Sequence, residues 1–147
     1  MERLRFYVRT NPRTAAALAF GSATMAVTHL AWVPAARMNG LTPALTITAG
    51  LAHGLAGAIT GRRLIDGRRT PTSVHAGLVG AGTSLLALFF FIPPFAFFVS
   101  RGLQMASPWS YVWLTVWTGV FSFLAAGWAL LLISVAVGWA IYRIAQT

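Results

Sequence analysis

The imidazoles of His29, His53 and His75 are the side chains of this chain best suited to ligation or proton transfer. A neutral imidazole binds a metal through one ring nitrogen, and the same nitrogen relays a proton near neutral pH. Little else is available to such chemistry. There is no cysteine, which excludes disulfides and thiolate chemistry. The two carboxylates, Glu2 and Asp66, lie in arginine-bearing stretches outside the apolar runs. Paired acids, an H-E-x-x-H zinc motif and a serine elbow are missing, so no catalytic residue is assigned.

These histidines sit in an unusual chain of 147 residues, 57% hydrophobic and 9% charged. Soluble domains carry about 25% charged residues, and a chain so poor in them cannot cover a water-facing surface. The composition assigns it to a bilayer. A net charge of +9 suggests nucleic acid at first, but its placement argues otherwise. All eleven basic residues are arginines, and they punctuate apolar runs instead of forming one basic face. No nucleic-acid partner is expected.

Four apolar stretches reach the roughly 20 residues that a crossing needs, near 14–36, 41–60, 73–99 and 110–141. Arg3, Arg5, Arg9 and Arg13 precede the first. Arg62, Arg63, Arg68 and Arg69 separate the second from the third, and Arg143 follows the fourth. The other two turns carry one arginine each, Arg37 and Arg101. Cytoplasmic loops hold the excess of positive charge, so both termini are expected in the cytoplasm. The expected fold is a single all-α integral membrane domain over 1–147, four transmembrane helices in two hairpins, in a bacterial inner membrane. The first apolar run, at about 20 residues, exceeds the 7–15 of a signal peptide's apolar region and reads as a true span. Before it, "MERLRFYVRT" reads as an interfacial segment, with Leu4, Phe6, Tyr7 and Val8 in the headgroup layer and its arginines on anionic lipid. In the last turn, Ser107 is a natural N-cap with Pro108 at the first helical position.

Helices in lipid associate through small residues, and these assign the faces. Around His53 the wheel collects Thr42, Thr46, Ala49, Gly50, Ala56, Gly57 and Thr60; opposite lie Leu41, Leu45, Ile47, Leu51, Leu55 and Ile59. His53 is thus expected to face protein. His29 shares its side with Ala15, Ser22, Met25 and Ala26 and is expected inward as well. Ala76, Gly80 and Ser84 mark the inner face of the third span. In the fourth, Trp109, Trp113, Trp117, Trp128 and Trp139 fall within an arc of about 120° at 100° per residue. Thr115, Thr118, Ser122, Ala125, Ala129, Ala136 and Ala140 occupy the other side and are expected to pack inward. Pro93 and Pro94 should kink or break the third helix amid Phe89, Phe90, Phe91, Phe95, Phe97 and Phe98. That phenylalanine cluster reads as a bulky lipid-facing surface, or else as a cleft for a lipid or polyene tail.

Three readings of function follow. An apolar bundle without intramembrane carboxylates reads first as a non-catalytic accessory subunit of a larger membrane complex, photosynthetic or respiratory. Its partners would be other integral membrane subunits and anionic lipids on the cytoplasmic side. Contacts would run through Trp109, Trp113, Trp117, Trp139, Phe90 and Phe95, with Arg62, Arg63, Arg68 and Arg69 at the headgroups. The second reading is a tetrapyrrole-binding protein, with His53 and His29 as axial ligands and Trp128 against a ring; bacteriochlorophyll, carotenoid and haem are the cofactors considered. The A-x-x-x-H spacing of Ala49 and His53 resembles that of bacterial antenna polypeptides, but those have one span, and no family assignment follows. A haem shared by both histidines is not expected, because they lie about 10 Å apart in depth at 1.5 Å per residue. The third is a small transporter or channel, with Thr42, Thr46, His53 and Thr60 lining a path. For His53 itself, packing against threonine or backbone outweighs ligation, and ligation outweighs a proton relay. His75 is expected at the cytoplasmic interface, bonded to headgroups or to the arginine-rich loop.

Overall fold

Which side chains are small enough to let two backbones touch decides where these helices meet. The computed structural model describes residues 2–32, 41–65, 72–102, 107–122, 124 and 127–146. Regular structure among them is all helical: α1 (Glu2–Thr10), α2 (Pro12–Trp32), α3 (Leu41–Ile65), α4 (Ser73–Gly102), α5 (Pro108–Ser122) and α6 (Trp128–Gln146). Two stretches, Ser73–Phe97 and Trp128–Gln146, are long and apolar enough to cross a membrane. Helices α2 and α3 have the length but not that apolarity, because alanine, glycine, threonine and serine replace larger apolar residues along them.

Those small residues make the seams. Helices α2 and α3 run antiparallel, backbone against backbone. A Cβ built on Gly61 would lie 2.6 Å from the Pro12 carbonyl oxygen, and one on Gly57 would lie 2.8 Å from that of Ala16. Helices α4 and α6 repeat the device. A Cβ on Gly138 would lie 2.7 Å from the Ala76 carbonyl oxygen, and one on Gly80 would strike that of Ser134. Between α3 and α4, the Thr60 and Thr83 hydroxyls pair at 2.7 Å. Phe20 and Leu64, both buried, fill the space at one end of the bundle beside Ile141 and Ala145.

That end also gathers α1. Phe6 is strongly exposed, but Val8 is buried in the cluster with Ile141 and Ala145. Arg9 does not reach outward to lipid as expected. Its Nε donates to the Ala145 carbonyl oxygen at 2.8 Å, and a terminal guanidinium nitrogen donates to the same oxygen. The guanidinium thus caps the last turn of α6, where carbonyls lack helical partners. At the opposite end of the chain's hairpins, α5 starts at Pro108 after Ser107, as the capping pattern anticipates.

The second-span wheel holds in its inner face, with Thr46, Ala49, Gly50, His53, Ala56, Gly57 and Thr60 buried. Opposite, Ile47, Leu51, Leu55 and Ile59 are exposed, but Leu45 is half-buried against Ala49, Ala52 and Phe91, and the side chain of Leu41 is not described. Thr42 lies among residues whose side chains are not described. The first-span wheel is corrected. Ala15 is buried as expected and Met25, though partly exposed, lies against Gly50, but Ser22, Ala26 and His29 are exposed, and α2 also buries Ala16, Phe20, Gly21, Thr24 and Thr28. The contact of Gly21 with Gly50 and Gly54 fixes that rotation; a Cβ on Gly21 would sit 3.1 Å from the Gly50 carbonyl oxygen.

The fourth stretch is not one α-helix. Leu124 and Gly127 lie in wider, π-type turns between α5 and α6. Such turns take up extra residues, so α6 is rotated against a wheel drawn through both helices. In α5, Thr115 and Thr118 are half-buried, on the expected side. In α6, Ala136 and Ala140 are exposed, and Ser134, Gly138, Ile141 and Ala145 form the buried face. Ala125 falls outside the described residues and the side chain of Ser122 is not described. The prolines bring a further correction. Helix α4 runs through Pro93 and Pro94 without a break, although the two imides remove N–H donors that would reach back one turn. The Tyr111 hydroxyl of α5 donates to the Pro93 carbonyl oxygen at 2.9 Å and ties the two helices there.

Candidate functional site

His53 stands at the midpoint of α3, on the line where that helix turns from one neighbour to the next. At 100° per residue, Gly50 and Gly57 lie about 40–60° to one side of it and Ala49 and Ala56 the same amount to the other. The glycine side meets α2, and the alanine side, with Ala52, meets Phe91 of α4. Thr46 and Thr60, seven residues away on either side, keep within about 20° of His53. The imidazole therefore points toward the axis of the bundle, and it is 1% exposed.

One ring nitrogen has a partner. His53 Nδ1 lies 3.1 Å from the Ala49 carbonyl oxygen, one turn back in the same helix. A carbonyl oxygen only accepts, so Nδ1 carries the proton, and Nε2 of the neutral ring presents a lone pair. That lone pair is buried and has no hydrogen-bond partner among the described residues. The A-x-x-x-H spacing thus has a local use: Ala49 offers its backbone carbonyl, not a berth for a ring. Further along the line, Thr60 hydroxyl approaches the Ala56 carbonyl oxygen at 2.9 Å and Thr83 that of Val79 at 2.8 Å. Thr46 Oγ1 and Ser84 Oγ are buried without partners among the described residues.

A tetrapyrrole does not fit His53 in this arrangement. Its flanks are Gly50, Gly57 and the fully buried Ala56, and α2 lies against the glycines at backbone contact. A flat macrocycle would have to part α2 or α4 from α3. His29 is on the outside of α2. With Gly21 opposite Gly50 and Gly54, residue 20 is level with His53, so His29 stands about 13 Å further along at 1.5 Å per residue. The two histidines are not brought together. His75 accepts its expected place by the arginines: its backbone N–H donates to Thr72 Oγ1 at 3.2 Å, and its Nε2 lies 3.2 Å from the Arg63 carbonyl oxygen. No group of three metal-ligating side chains occurs among the described residues.

The outer surface carries the large aromatics. Trp109, Trp113, Trp117, Trp128 and Trp139 are all exposed, between 44 and 75%. Trp113 and Trp117 meet edge to face at 5.8 Å, and the Arg143 guanidinium lies 4.8 Å over the Trp139 ring. The phenylalanines divide. Phe89 and Phe97 are exposed, whereas Phe90 and Phe95 are half-buried and pack against the cluster of Ala49, Ala52 and Phe91. Phe91 and Phe95 stack at 5.1 Å and 16°. Phe90 and Phe95 thus divide their rings between that cluster and the outer surface. Arg62 and Arg63 are exposed at the end of α3; Arg68 and Arg69 lie outside the described residues.

Sequence reasoning missed Ser134 and Gly138, the buried seam of α6, although S-x-x-x-G is a small-residue spacing that signals close helix contact. Comparison of the chain with protein-family models, with curated proteins and with solved structures gives no match in any of the three.

Proposed function

We propose that this chain is a non-catalytic integral subunit of a larger membrane complex. It crosses the bilayer four times, through α2, α3, α4 and the α5–α6 unit, with the arginine-bearing end in the cytoplasm of a bacterium. The observation that carries the reading is the division of side chains by size. Alanine, glycine and hydroxyl residues are spent on the seams inside, while tryptophans face out. Tryptophans near helix ends are ordinary anchors at the membrane interface. Trp128 is different. Ser134 lies opposite Gly80, so Trp128 is level with the middle of α4, far from either interface. A deep, exposed indole offers a large rigid surface and an N–H donor to a neighbouring helix. The cytoplasmic side of the reading rests on one end of the bundle, where Arg3, Arg5, Arg9, Arg13, Arg62, Arg63 and Arg143 belong to helix ends that meet.

Extraction in a mild detergent, followed by size-exclusion chromatography with ultraviolet and visible absorbance, tests it. Elution in a multi-subunit peak is expected, with Trp128→Ala shifting the chain toward a smaller species while its helical content is kept. Elution of the wild-type chain alone, colourless and small, defeats the reading. Visible absorbance that His29→Ala abolishes would replace it with the pigment-binding one, for which the exposed His29 leaves space.

A further inference from the structure

Among the described residues, the buried polar atoms without partners are His53 Nε2, Thr46 Oγ1 and Ser84 Oγ, on the facing helices α3 and α4. His53 and Thr46 share one line of α3, and Thr60 on the same line pairs with Thr83, the neighbour of Ser84 in α4. From Thr46 to Thr60 this line runs about 21 Å at 1.5 Å per residue, set against a hydrocarbon core about 30 Å thick. Thr24 and Thr28 of α2 and Ser134 of α6 are also buried. The bundle interior thus carries hydroxyls from α2, α3, α4 and α6, and among the described residues no carboxylate or arginine is buried. In a structure that otherwise satisfies its interior, a buried acceptor left bare demands a partner. Water is the partner such sites take, each molecule using two to four polar groups.

We infer that His53 Nε2, Thr46 Oγ1 and Ser84 Oγ bind water inside the bundle, and that the hydroxyl line with His53 at its middle is a hydrated column. The imidazole is oriented for this. Ala49 holds the Nδ1 proton, so Nε2 is fixed as a buried acceptor. A water donates one O–H to Nε2 and turns its second O–H and its lone pairs to the next polar group. A proton arriving as hydronium then passes to Nε2, leaving water behind and an imidazolium that keeps its bond to Ala49; the return of that proton to the water restores both. The column gives His53 access to protons from an aqueous face, which a dry, packed histidine lacks.

The test uses the full chain in lipid vesicles with nitrogen-15 histidine, read by magic-angle-spinning NMR. A neutral ring protonated at Nδ1, with magnetisation transfer from water to the His53 ring that Thr46→Val and Ser84→Ala weaken, is the expected result. A ring protonated at Nε2, or one with no transfer from water, overturns the inference. The isosteric variants supply a second, independent reading. Removing an unsatisfied hydroxyl from a dry core raises the melting temperature, whereas removing one that holds water lowers it or leaves it unchanged. A rise in either variant also overturns the inference.

Discussion

Gly57→Ala and Gly61→Ala should destabilise the bundle, while Gly82→Ala, the same chemical change, should not. A Cβ on Gly57 would sit 2.8 Å from the Ala16 carbonyl oxygen and 3.0 Å from both the Ala16 carbonyl carbon and Phe20 Cδ2. Ordinary contact begins at 3.4 Å, so α2 must retreat by 3.4 − 2.8, or about 0.6 Å, and for Gly61 by 3.4 − 2.6, or about 0.8 Å. The obstacle is backbone, which cannot swing aside as a side chain can. Overpacking of this kind costs about 1–3 kcal/mol. Some of that is offset by alanine's better helix propensity, about 0.8–1.0 kcal/mol relative to glycine in water. A net loss of roughly 0–2 kcal/mol per site follows from the difference of those ranges. The double variant should lose more, because both clashes push α2 the same way. Gly82 has nothing within 4 Å of its would-be Cβ, so only the favourable propensity term remains. The assay is reversible unfolding in mixed micelles, followed by far-ultraviolet circular dichroism across a denaturant series. Equal midpoints for the Gly57/Gly61 double variant and Gly82→Ala would refute the backbone-contact seam.

Three further outcomes are expected. Tyr111→Phe removes the bond to the Pro93 carbonyl oxygen and should cost about 0.5–1.5 kcal/mol, measured by the same unfolding series; no change would mean that α5 is not held there. Arg9→Ala should leave the core intact and speed amide exchange in the last turn of α6, whose Ala145 carbonyl it uncaps, with Arg9→Lys recovering little because a single ammonium does not reproduce the two-nitrogen contact. Unaltered exchange across residues 141–146 would contradict that role. A double-mutant cycle of Thr60→Val and Thr83→Val should give a coupling of about 0.5–1.5 kcal/mol for the hydroxyl pair, and additivity would show that the two helices are not joined at that point.

The faces that the sequence revealed are those of straight helices whose neighbours both demand small residues. In α3, glycines on one flank and alanines on the other leave one arrangement, and the wheel around His53 is the buried face. The wheel of α2 failed because smallness was read without position. Ser22 and Ala26 are nearly as small as Ala16, but Gly21, smaller still, brings its backbone against Gly50 and Gly54, so the glycines of the partner choose the face. That choice depends on register between two helices, which a single helix cannot encode. Helix α6 failed for another reason. The wheel assumed 3.6 residues per turn across 110–141, and the π-type turns at Leu124 and Gly127 break that period. The tryptophan side survived the rotation and the alanine side did not. The seam residues were then legible only locally, as the S-x-x-x-G of Ser134 and Gly138.

The candidate site shows how far a motif can mislead when its backbone is ignored. Ala49 and His53 are spaced for an imidazole to stand over a small residue, and a ligand ring is one reason to want that space. The i−4 carbonyl is another, since a histidine Nδ1 reaches it without leaving its own helix. Once that bond forms, the tautomer is set, and the question moves from whether His53 has a partner to which of its nitrogens has one. The Gly50 and Gly57 contacts with α2 leave no gap for a macrocycle on that flank of His53. They do not exclude something the size of a water molecule. Size, together with the unpaired hydroxyls of Thr46 and Ser84, is what favours water at Nε2.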